Sequence, residues 1–370
     1  MINDAQAPVR VGIVGLTPGR SWASMAHLPA LRAMPHAFEV VGVANRSLES
    51  AIAAASAWQI PHAFSSVTKL VASSDVDLVV VSVKVPHHQA IVNAALDAGK
   101  RVYCEWPLGH GLEQARAMAS RARARDLPCI VGTQARYAPA IQHVRKLLGE
   151  GFVGECYSCS LVATGMNWGA GVSQANAYTF DRSNGATMLA IAFGHAMAAL
   201  LHLFGPIAEL SAITAMRRVQ GLNIDNGQPV QLSGEDQVLV CALFENGMPL
   251  SVHYRGGSAH GAGLTLDING SEGDLRITGS NGQLQLAELS VQGARGDTQQ
   301  MLPIAIADSF ADKSGEQTRI GNVRRLYEDI SNSACTAPTF DDAVAVHRVL
   351  EAIEQAAVSK RRIYMRDIPL

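Results

Sequence analysis

Short apolar runs separated by polar turns occupy the first third of the chain. Runs of this length predict strands, and longer stretches with helical spacing of apolar residues predict helices. The predicted strands are Val9–Val14, Phe38–Ala44, Val76–Val83, Arg101–Cys104 and Cys129–Gly132. The predicted helices between them are Ala23–Ala33, Leu48–Trp58, His88–Ala98 and Leu112–Arg123. Alternation of strand and helix predicts an α/β domain with a doubly wound parallel sheet over residues 1–135.

The pattern changes after about residue 138. A predicted helix, Pro139–Leu148, leads into runs of alternating apolar and polar residues, namely Glu155–Ala163, Ile207–Met216, Gln237–Phe244, Pro249–Tyr254, Leu264–Ile268 and Leu275–Thr278. Ala190–Phe204 predicts an apolar helix, and Asp341–Val358 predicts a closing helix capped by Thr339 or Asp341. Few helices separate the later strands. We therefore predict a C-terminal α+β domain over residues 136–370 with a large, mostly antiparallel open sheet.

A glycine-rich turn follows the first predicted strand. Glycine lets the backbone turn tightly and approach a pyrophosphate, whose charge then lies at a helix N-terminus. Thr17 stands where the strict G-x-G-x-x-G pattern has glycine, and the turn is longer than usual. A strand before the turn and a helix after it nevertheless indicate a Rossmann dinucleotide site. The predicted contacts in this turn are Gly12, Gly15, Leu16, Thr17, Gly19, Ser21 and Trp22.

The end of the second predicted strand bears on the choice of dinucleotide. An acidic residue there would bind the ribose 2′-hydroxyl of NAD. The chain has Asn45 and Arg46 instead. An arginine can pair with the 2′-phosphate of NADP, although it can equally be a solvated residue at a helix start. The pair favours NADP, and NAD stays open because asparagine can also bind a hydroxyl.

Composition narrows the class of protein. The chain has 370 residues, of which 48% are hydrophobic and 17% charged, so it can fold into two domains and is not typical of disorder. A net charge of -2 without a long basic run argues against nucleic-acid binding. No apolar run is long enough for a bilayer, and the polar N-terminus resembles no secretory signal. We therefore expect a cytoplasmic protein that does not bind membranes.

Six scattered cysteines fit reduced thiols better than a disulfide scaffold. Cys156 and Cys159 have the spacing of half a zinc site, yet they lie in a predicted strand with no second pair nearby. We interpret them as ordinary strand cysteines.

Several segments resemble the glucose-fructose oxidoreductase / inositol dehydrogenase / MocA (Gfo/Idh/MocA) family over essentially the whole chain. They are Val79–His88, Gly99–Pro107, Gly132–Pro139 and Gly194–His195. Other segments are similar to the family's branch of fungal galactose-gene repressors, namely Val14–Trp22, Ser82–His88, Glu105–Trp106, Phe193–His195, Phe244–Gly247, Gly270–Leu275 and Phe340–Ala343. The resemblance implies a nicotinamide cofactor. It also implies cofactor contacts from Ser82, Val83, Lys84, Pro86, His88, Glu105, Trp106 and Gln134.

Two departures from the family pattern affect the expected chemistry. The family's working enzymes carry Glu-Lys-Pro, and its lysine helps to move the proton of the substrate hydroxyl. Here that position is Trp106, and the aspartate expected one helical turn before the family's histidine is Ile191. His195 remains as a candidate base, since its unperturbed pKa lies near neutrality. Lys84 is a second catalytic candidate, or else it lies near the ribose or phosphate of the cofactor.

Two functions follow from this pattern. The first is an NAD(P)-dependent oxidoreductase that transfers a hydride between the cofactor and a sugar-like or polyol substrate. The alternative is a non-catalytic NAD(P)-binding regulator that senses cofactor or a small effector and docks a protein partner. For either function, we expect a homo-oligomer that forms through the open sheet, and a dimer is the favoured state. Residues that can line a polar pocket in the second domain are Trp168, Tyr178, His253, Arg255 and His260, though each has an equally good structural explanation.

Overall fold

The computed structural model describes residues 7–258, 260–261, 263–311, 316–332 and 336–369. Its contacts divide the chain into two compact units. The first unit comprises Met1–Gly132 and Arg319–Ala343, and the second comprises Thr133–Thr318 and Val344–Leu370. The sequence predicted a single boundary near residue 135. The structure differs because a late segment of the chain returns to the first unit.

The first unit contains a six-stranded parallel sheet with the order β3-β2-β1-β4-β5-β6. Its strands are β1 Val9–Val14, β2 Phe38–Ala44, β3 His62–Phe64, β4 Leu78–Val81, β5 Arg101–Glu105 and β6 Cys129–Gly132. All four residues of β4 are buried, as a strand covered on both faces requires. This sheet confirms the predicted doubly wound fold. Predicted strand Val76–Val83 extends two residues beyond β4 at each end.

Helices connect these strands. They are α1 Leu28–Arg32, α2 Leu48–Trp58, α3 Val67–Ala72, α4 His88–Asp97 and α5 Gly111–Arg123. A π-helical turn, Ala23–His27, precedes α1, so the predicted helix Ala23–Ala33 has two geometries. The sequence predictions missed β3 and α3, which are too short to show a clear period.

The second unit contains a nine-stranded sheet with the order β17-β16-β15-β14-β7-β13-β12-β9-β18 and a small sheet with the order β11-β10-β8. The strands are β7 Cys156–Thr164, β8 Gly171–Val172, β9 Ile207–Ala215, β10 Gln220–Asn223, β11 Pro229–Gln231, β12 Gln237–Phe244, β13 Pro249–Arg255, β14 Leu264–Gly270, β15 Gly273–Gly279, β16 Leu289–Arg295, β17 Leu302–Ile304 and β18 Ile363–Tyr364. In the large sheet β13 and β7 pair in parallel, and the other neighbours pair antiparallel. The predicted mostly antiparallel sheet is confirmed.

The two faces of the large sheet differ. On β12, Val240 and Ala242 are buried, whereas Leu239 and Cys241 point to the other face and are exposed. Because side chains alternate along a strand, this pattern indicates one covered face and one open face.

The remaining helices are α6 Pro139–Gly149, α7 Gly194–Phe204, α8 Thr318–Ser331 and α9 Phe340–Ser359. A second π-helical turn, Leu189–Phe193, precedes α7. Thr339 and Asp342 cap α9 reciprocally: the Asp342 N–H donates to Thr339 Oγ1 at 3.3 Å, and the Thr339 N–H donates to Asp342 Oδ2 at 2.7 Å. Thr339 is therefore the N-cap. No helix in the described part of the chain is long and apolar enough to cross a membrane.

Candidate functional site

The turn after β1 is built around Gly15. Its φ of +98° is a conformation that side chains disfavour, and a Cβ there would lie 2.3 Å from the carbonyl oxygen of Ser82. The Gly15 N–H donates to the carbonyl of Ala44 at 3.1 Å. The ends of β1, β2 and β4 therefore meet at this turn. The strand order reverses between β1 and β4, where doubly wound sheets bind ligands.

Asn45 holds the turn from the end of β2. Its Oδ1 accepts the Leu16 N–H at 3.0 Å, and its Nδ2 donates to the Leu16 carbonyl at 2.8 Å. The same Nδ2 lies 3.1 Å from the carbonyl and hydroxyl oxygens of Ser50. The sequence predicted Asn45 as a ribose contact, and the structure shows its amide engaged with the protein itself. Arg46, the next residue, is exposed.

Ser21 closes the rest of the turn. Its hydroxyl accepts the Thr17 N–H at 2.9 Å and donates to the Thr17 carbonyl at 3.1 Å. Thr17 and Gly19 are exposed. Beside them, the indole Nε1 of Trp22 is buried and has no hydrogen-bond partner among the described residues. A buried N–H without an acceptor is unfavourable, so this donor fits an oxygen-rich ligand.

The loop after β4 is fastened by His88. The imidazole is buried, with Nδ1 2.9 Å from the carbonyl oxygen of Pro107 and Nε2 3.0 Å from that of Val83. Burial lowers the pKa of His88. His88 thus joins the loops that follow β4 and β5. Lys84 and Pro86, in the same loop, are exposed, and Ser82 and Val83 are half-buried.

Glu105 and Trp106 stand at the end of β5. The Trp106 side chain is buried, so an apolar ring fills the place where the family pattern has lysine. The Glu105 carboxylate lies 2.8 Å from Nε2 of His27, and Nδ1 of His27 lies 2.8 Å from the hydroxyl of Tyr327. The sequence predictions missed His27 and Tyr327. Tyr327 is 300 residues from His27 along the chain, and only the fold brings them together.

His195 lies in the second unit near the start of α7 and is buried. Ile191, one helical turn earlier in the π-helical turn, is half-buried and carries no titratable group. Gln134 is buried in the short 3-10 helix Gln134–Tyr137, close to the start of the second unit. The two predicted catalytic residues, His195 and Lys84, thus belong to different units.

Comparison with known families agrees with these features. A model described as an oxidoreductase family with an NAD-binding Rossmann fold matches residues 9–133, and a model of the Gal80p C-terminal domain matches residues 139–279. Residues 9–133 thus match the Gfo/Idh/MocA oxidoreductase family, and residues 139–279 match the C-terminal domain of Gal80p. The resemblance stated from sequence is thereby confirmed.

Individual relatives include regulators and dehydrogenases. The chain is 30% identical over 304 residues to the galactose/lactose metabolism regulatory protein GAL80 of Kluyveromyces lactis, covering 76% of this chain and 66% of that protein, just under two thirds. It is 37% identical over 213 residues to dehydrogenase aclE of Aspergillus oryzae, and the match covers 56% of this chain and 58% of that protein. The crystal structure of the transcriptional regulator Gal80p from Kluyveromyces lactis matches with a TM-score of 0.87 at 26% identity. The match covers 98% of this chain and 92% of that one. The chain is thus similar both to regulatory proteins and to a dehydrogenase.

Two of the pocket candidates in the second domain are buried or half-buried within it. Trp168 is buried, and its Nε1 donates to the carbonyl of Thr179 at 3.1 Å. Burial also raises the pKa of Tyr178. The covered face of the sheet carries Tyr254, whose ring lies 5.8 Å from that of Phe193.

His253 and Arg255 alternate with Tyr254 along β13, so both point to the open face. His260 is exposed.

Burial favours the neutral form of three other titratable residues. Burial and two nearby arginines, Arg136 and Arg145, lower the pKa of His202 to about 3. Cys156 and Cys159 lie on β7, and burial raises the pKa of both thiols. In the described ranges, no group of three His, Cys, Asp or Glu side chains is placed to hold a metal ion.

Proposed function

We propose that this chain is an NAD(P)-dependent oxidoreductase of a sugar-like or polyol substrate. The observation that carries the proposal is the Gly15 turn at the switch point of the parallel sheet. This turn is exposed at Thr17 and Gly19, and the buried Nε1–H of Trp22 lies at its end. Arg46, which follows the Asn45 that holds the turn, is also exposed. The match of residues 9–133 to a family model described as NAD-binding supports the same ligand.

The first unit offers suitable groups for each part of a dinucleotide. We propose that the backbone from Gly15 to Trp22 binds the pyrophosphate and that Arg46 binds a ribose 2′-phosphate. Lys84, beyond the end of β4, is better placed for ribose or phosphate than for proton transfer, because it is exposed. Glu105 and Trp106 lie at the end of β5, toward the nicotinamide half.

The chemistry requires one proton acceptor from the chain. When bound, the nicotinamide ring supplies the hydride acceptor for the substrate carbon. We propose that the imidazole of His195 accepts the proton of the substrate hydroxyl as the C–H bond breaks. Trp106 and Ile191 supply neither an ammonium nor a carboxylate at the family's other two positions. Slow turnover is therefore expected.

A second function is favoured by the buried Trp106 ring. An apolar side chain in place of the catalytic lysine suits a protein that binds the cofactor without using it. Identity of 30% to a regulatory protein points the same way. Under this alternative, the chain senses the dinucleotide or a small effector and docks a protein partner.

Calorimetric titration with NAD, NADH, NADP and NADPH separates these functions when it is followed by an assay of reduced-nicotinamide absorbance with a polyol and sugar panel. Binding with turnover supports the oxidoreductase. Binding without turnover, together with a partner recovered only when cofactor is present, supports the regulator. If the chain binds none of the four cofactors, both proposed functions are refuted.

Arg46→Ala is expected to weaken NADP binding about tenfold while leaving NAD binding within about twofold, because a charge-assisted contact to the 2′-phosphate is lost. Calorimetry of both cofactors measures the two affinities. Arg361→Ala, which removes an exposed arginine far along the chain from the proposed binding turn, is the control. Equal weakening of NAD and NADP by Arg46→Ala would contradict the assignment.

We further propose that the chain forms a homodimer through the open face of the large sheet. Register places Ile213, Leu239, His253 and Val162 side by side on four neighbouring strands. Ile213 is 64% exposed and Val162 is 44% exposed. A shallow groove of about 410 Å³ on the same face is lined by Ser158, Ser160, Ser211, Cys241 and Ser251, among others. Contiguous apolar exposure of this kind favours association.

Ile213→Glu with Leu239→Glu is expected to weaken self-association by about tenfold or more, because charges would be buried against an apolar surface. Analytical ultracentrifugation over a concentration series measures the change. Val358→Glu, at an 85% exposed position on α9, is the control. A monomeric unmodified chain would rule out the dimer.

We also propose a cytosolic location for the protein. Among the described cysteines, Cys104, Cys129, Cys156, Cys159 and Cys241 are all free thiols, which suits a reducing compartment. Cys335 lies outside the described residues.

A further inference from the structure

A buried chain of hydrogen bonds ends at Glu105. The His27 ring and the Tyr327 side chain are fully buried, and the Glu105 side chain is 12% exposed. Both contacts of the His27 ring are 2.8 Å long, one to Tyr327 and one to Glu105. The three residues come from the π-helical turn before α1, the end of β5 and helix α8. All three belong to the first unit.

The carboxylate of Glu105, at the partly exposed end of this network, sets the direction of each hydrogen bond. An ionised carboxylate only accepts, so Nε2 of His27 carries the proton and donates to Glu105. When the ring is neutral, Nδ1 is an acceptor, and the hydroxyl of Tyr327 donates to it. Burial raises the pKa of Tyr327, so the phenol keeps its proton. These two hydrogen bonds together select one tautomer of the neutral His27 ring.

Packing fixes the orientation of the His27 ring. The Tyr103 ring lies edge-on to it at a centroid distance of 4.9 Å, and the Tyr327 ring lies edge-on at 5.8 Å. A π-helical turn places His27 itself, and such turns frequently occur at functional sites. A ring that cannot rotate aims its N–H at one point. The Glu105 carboxylate is thus held in one position rather than left to solvent.

The position of Glu105 at the end of β5 relates its carboxylate to the nicotinamide half of a bound dinucleotide. Strands β1 and β2 carry the turn and Arg46, so a dinucleotide lying across the switch point has its adenosine half on that side. Strands β4 and β5 then lie under the nicotinamide half, and Glu105 ends β5. The oxidised nicotinamide ring carries a positive charge that the reduced ring lacks. A fixed negative charge beside it interacts more favourably with the oxidised form.

We propose that His27 and Tyr327 are positioning residues that hold the Glu105 carboxylate, so that the first unit binds the oxidised nicotinamide dinucleotide more tightly than the reduced one. This inference rests on the proposed dinucleotide site. It assigns a specificity for redox state to residues that do not themselves touch the ligand. Such a preference serves an oxidoreductase and a regulator alike.

The test is calorimetry of NADP and NADPH binding to the full chain and its variants. We expect the unmodified chain to favour NADP over NADPH by about tenfold. Glu105→Gln, which keeps the shape and removes the charge, should bring that ratio close to one. Tyr327→Phe, which removes the donor to Nδ1, should reduce the ratio about threefold.

Two further variants separate positioning from folding. Phe38→Leu removes packing from the Tyr327 ring, which it meets edge-on at 5.2 Å, without altering the hydrogen-bonded chain. It should lower Tm and leave the NADP-to-NADPH ratio unchanged. His27→Gln offers an amide that can both donate and accept, so it should keep more of the ratio than His27→Leu. Nitrogen-15 spectra should show His27 protonated on Nε2 and the Nδ1 signal shifted in Tyr327→Phe.

The outcomes are distinguishable. If the unmodified chain binds neither form, the proposed dinucleotide site is refuted. If it binds both and Glu105→Gln leaves the ratio unchanged, the dinucleotide site stands and the role of Glu105 is refuted. If Glu105→Gln changes the ratio and Tyr327→Phe does not, the positioning role of His27 and Tyr327 is overturned.

Discussion

Gly15→Val is expected to abolish detectable nicotinamide dinucleotide binding and to lower the free energy of unfolding by about 3 kcal/mol. The first Cβ atom would lie 2.3 Å from the Ser82 carbonyl and 2.7 Å from a methyl group of Val83. The ends of β1 and β4 would have to separate, which opens the switch point where the ligand is proposed to bind. Calorimetry with NADP and thermal denaturation measure the two effects.

Gly99→Ala is the matched control for backbone strain. Gly99 also has a positive φ, of +70°, but no atom lies within 4 Å of the added Cβ. This variant should lose about 1 kcal/mol of stability and keep full cofactor affinity. Undiminished NADP binding by a folded Gly15→Val chain would show that the turn is not the binding site.

Trp106→Lys combined with Ile191→Asp is expected to raise the rate of polyol or sugar oxidation by about 10²–10⁴-fold, the usual contribution of a positioned acid–base group. The double variant restores the ammonium and the carboxylate that the family's working enzymes carry. The rate of reduced-nicotinamide formation under saturating cofactor measures the change. NADP affinity, measured in parallel, shows whether the altered chain still binds its cofactor.

The matched control is Trp106→Met with Ile191→Asn, which changes size and polarity at the same positions without adding either charge. It should be as slow as the unmodified chain. A high rate in the unmodified chain, with no gain in the double variant, would show that His195 suffices with the residues present. A gain in the control as large as in the test variant would show that relief of crowding, not proton transfer, limits the rate.

Long and strongly patterned elements were predicted well from sequence. The bounds of β2, α2 and β12 agree with prediction to the residue, because each pairs a clear apolar pattern with a turn or cap at its ends. Several strands of two to four residues, such as β8, β10 and β18, were missed because they carry too few positions to show a period. Helix α8 was also missed, although Val323 and Leu326 keep helical spacing within its polar sequence.

The candidate site divides in the same way. The glycine turn could be found because a local motif encodes it. The engagement of Asn45 with Leu16 and Ser50 could not, since it depends on where two strand ends meet. The contact of His27 with Tyr327 depends on the return of a distant segment. Local sequence thus predicts which residues can contact a ligand, whereas the residues that support them emerge only from the fold.

The return of residues 319–343 to the first unit has a consequence for synthesis on the ribosome. The Val131 N–H donates to the carbonyl of Pro338 at 2.8 Å, and Ile130 forms a bridge with Thr339 beside β6. Leu326 and Tyr327 are fully buried there. The nascent first unit therefore leaves apolar surface uncovered until residues 319–343 have been translated. During that interval, nascent chains of this protein are expected to depend on chaperones that shield exposed apolar surface.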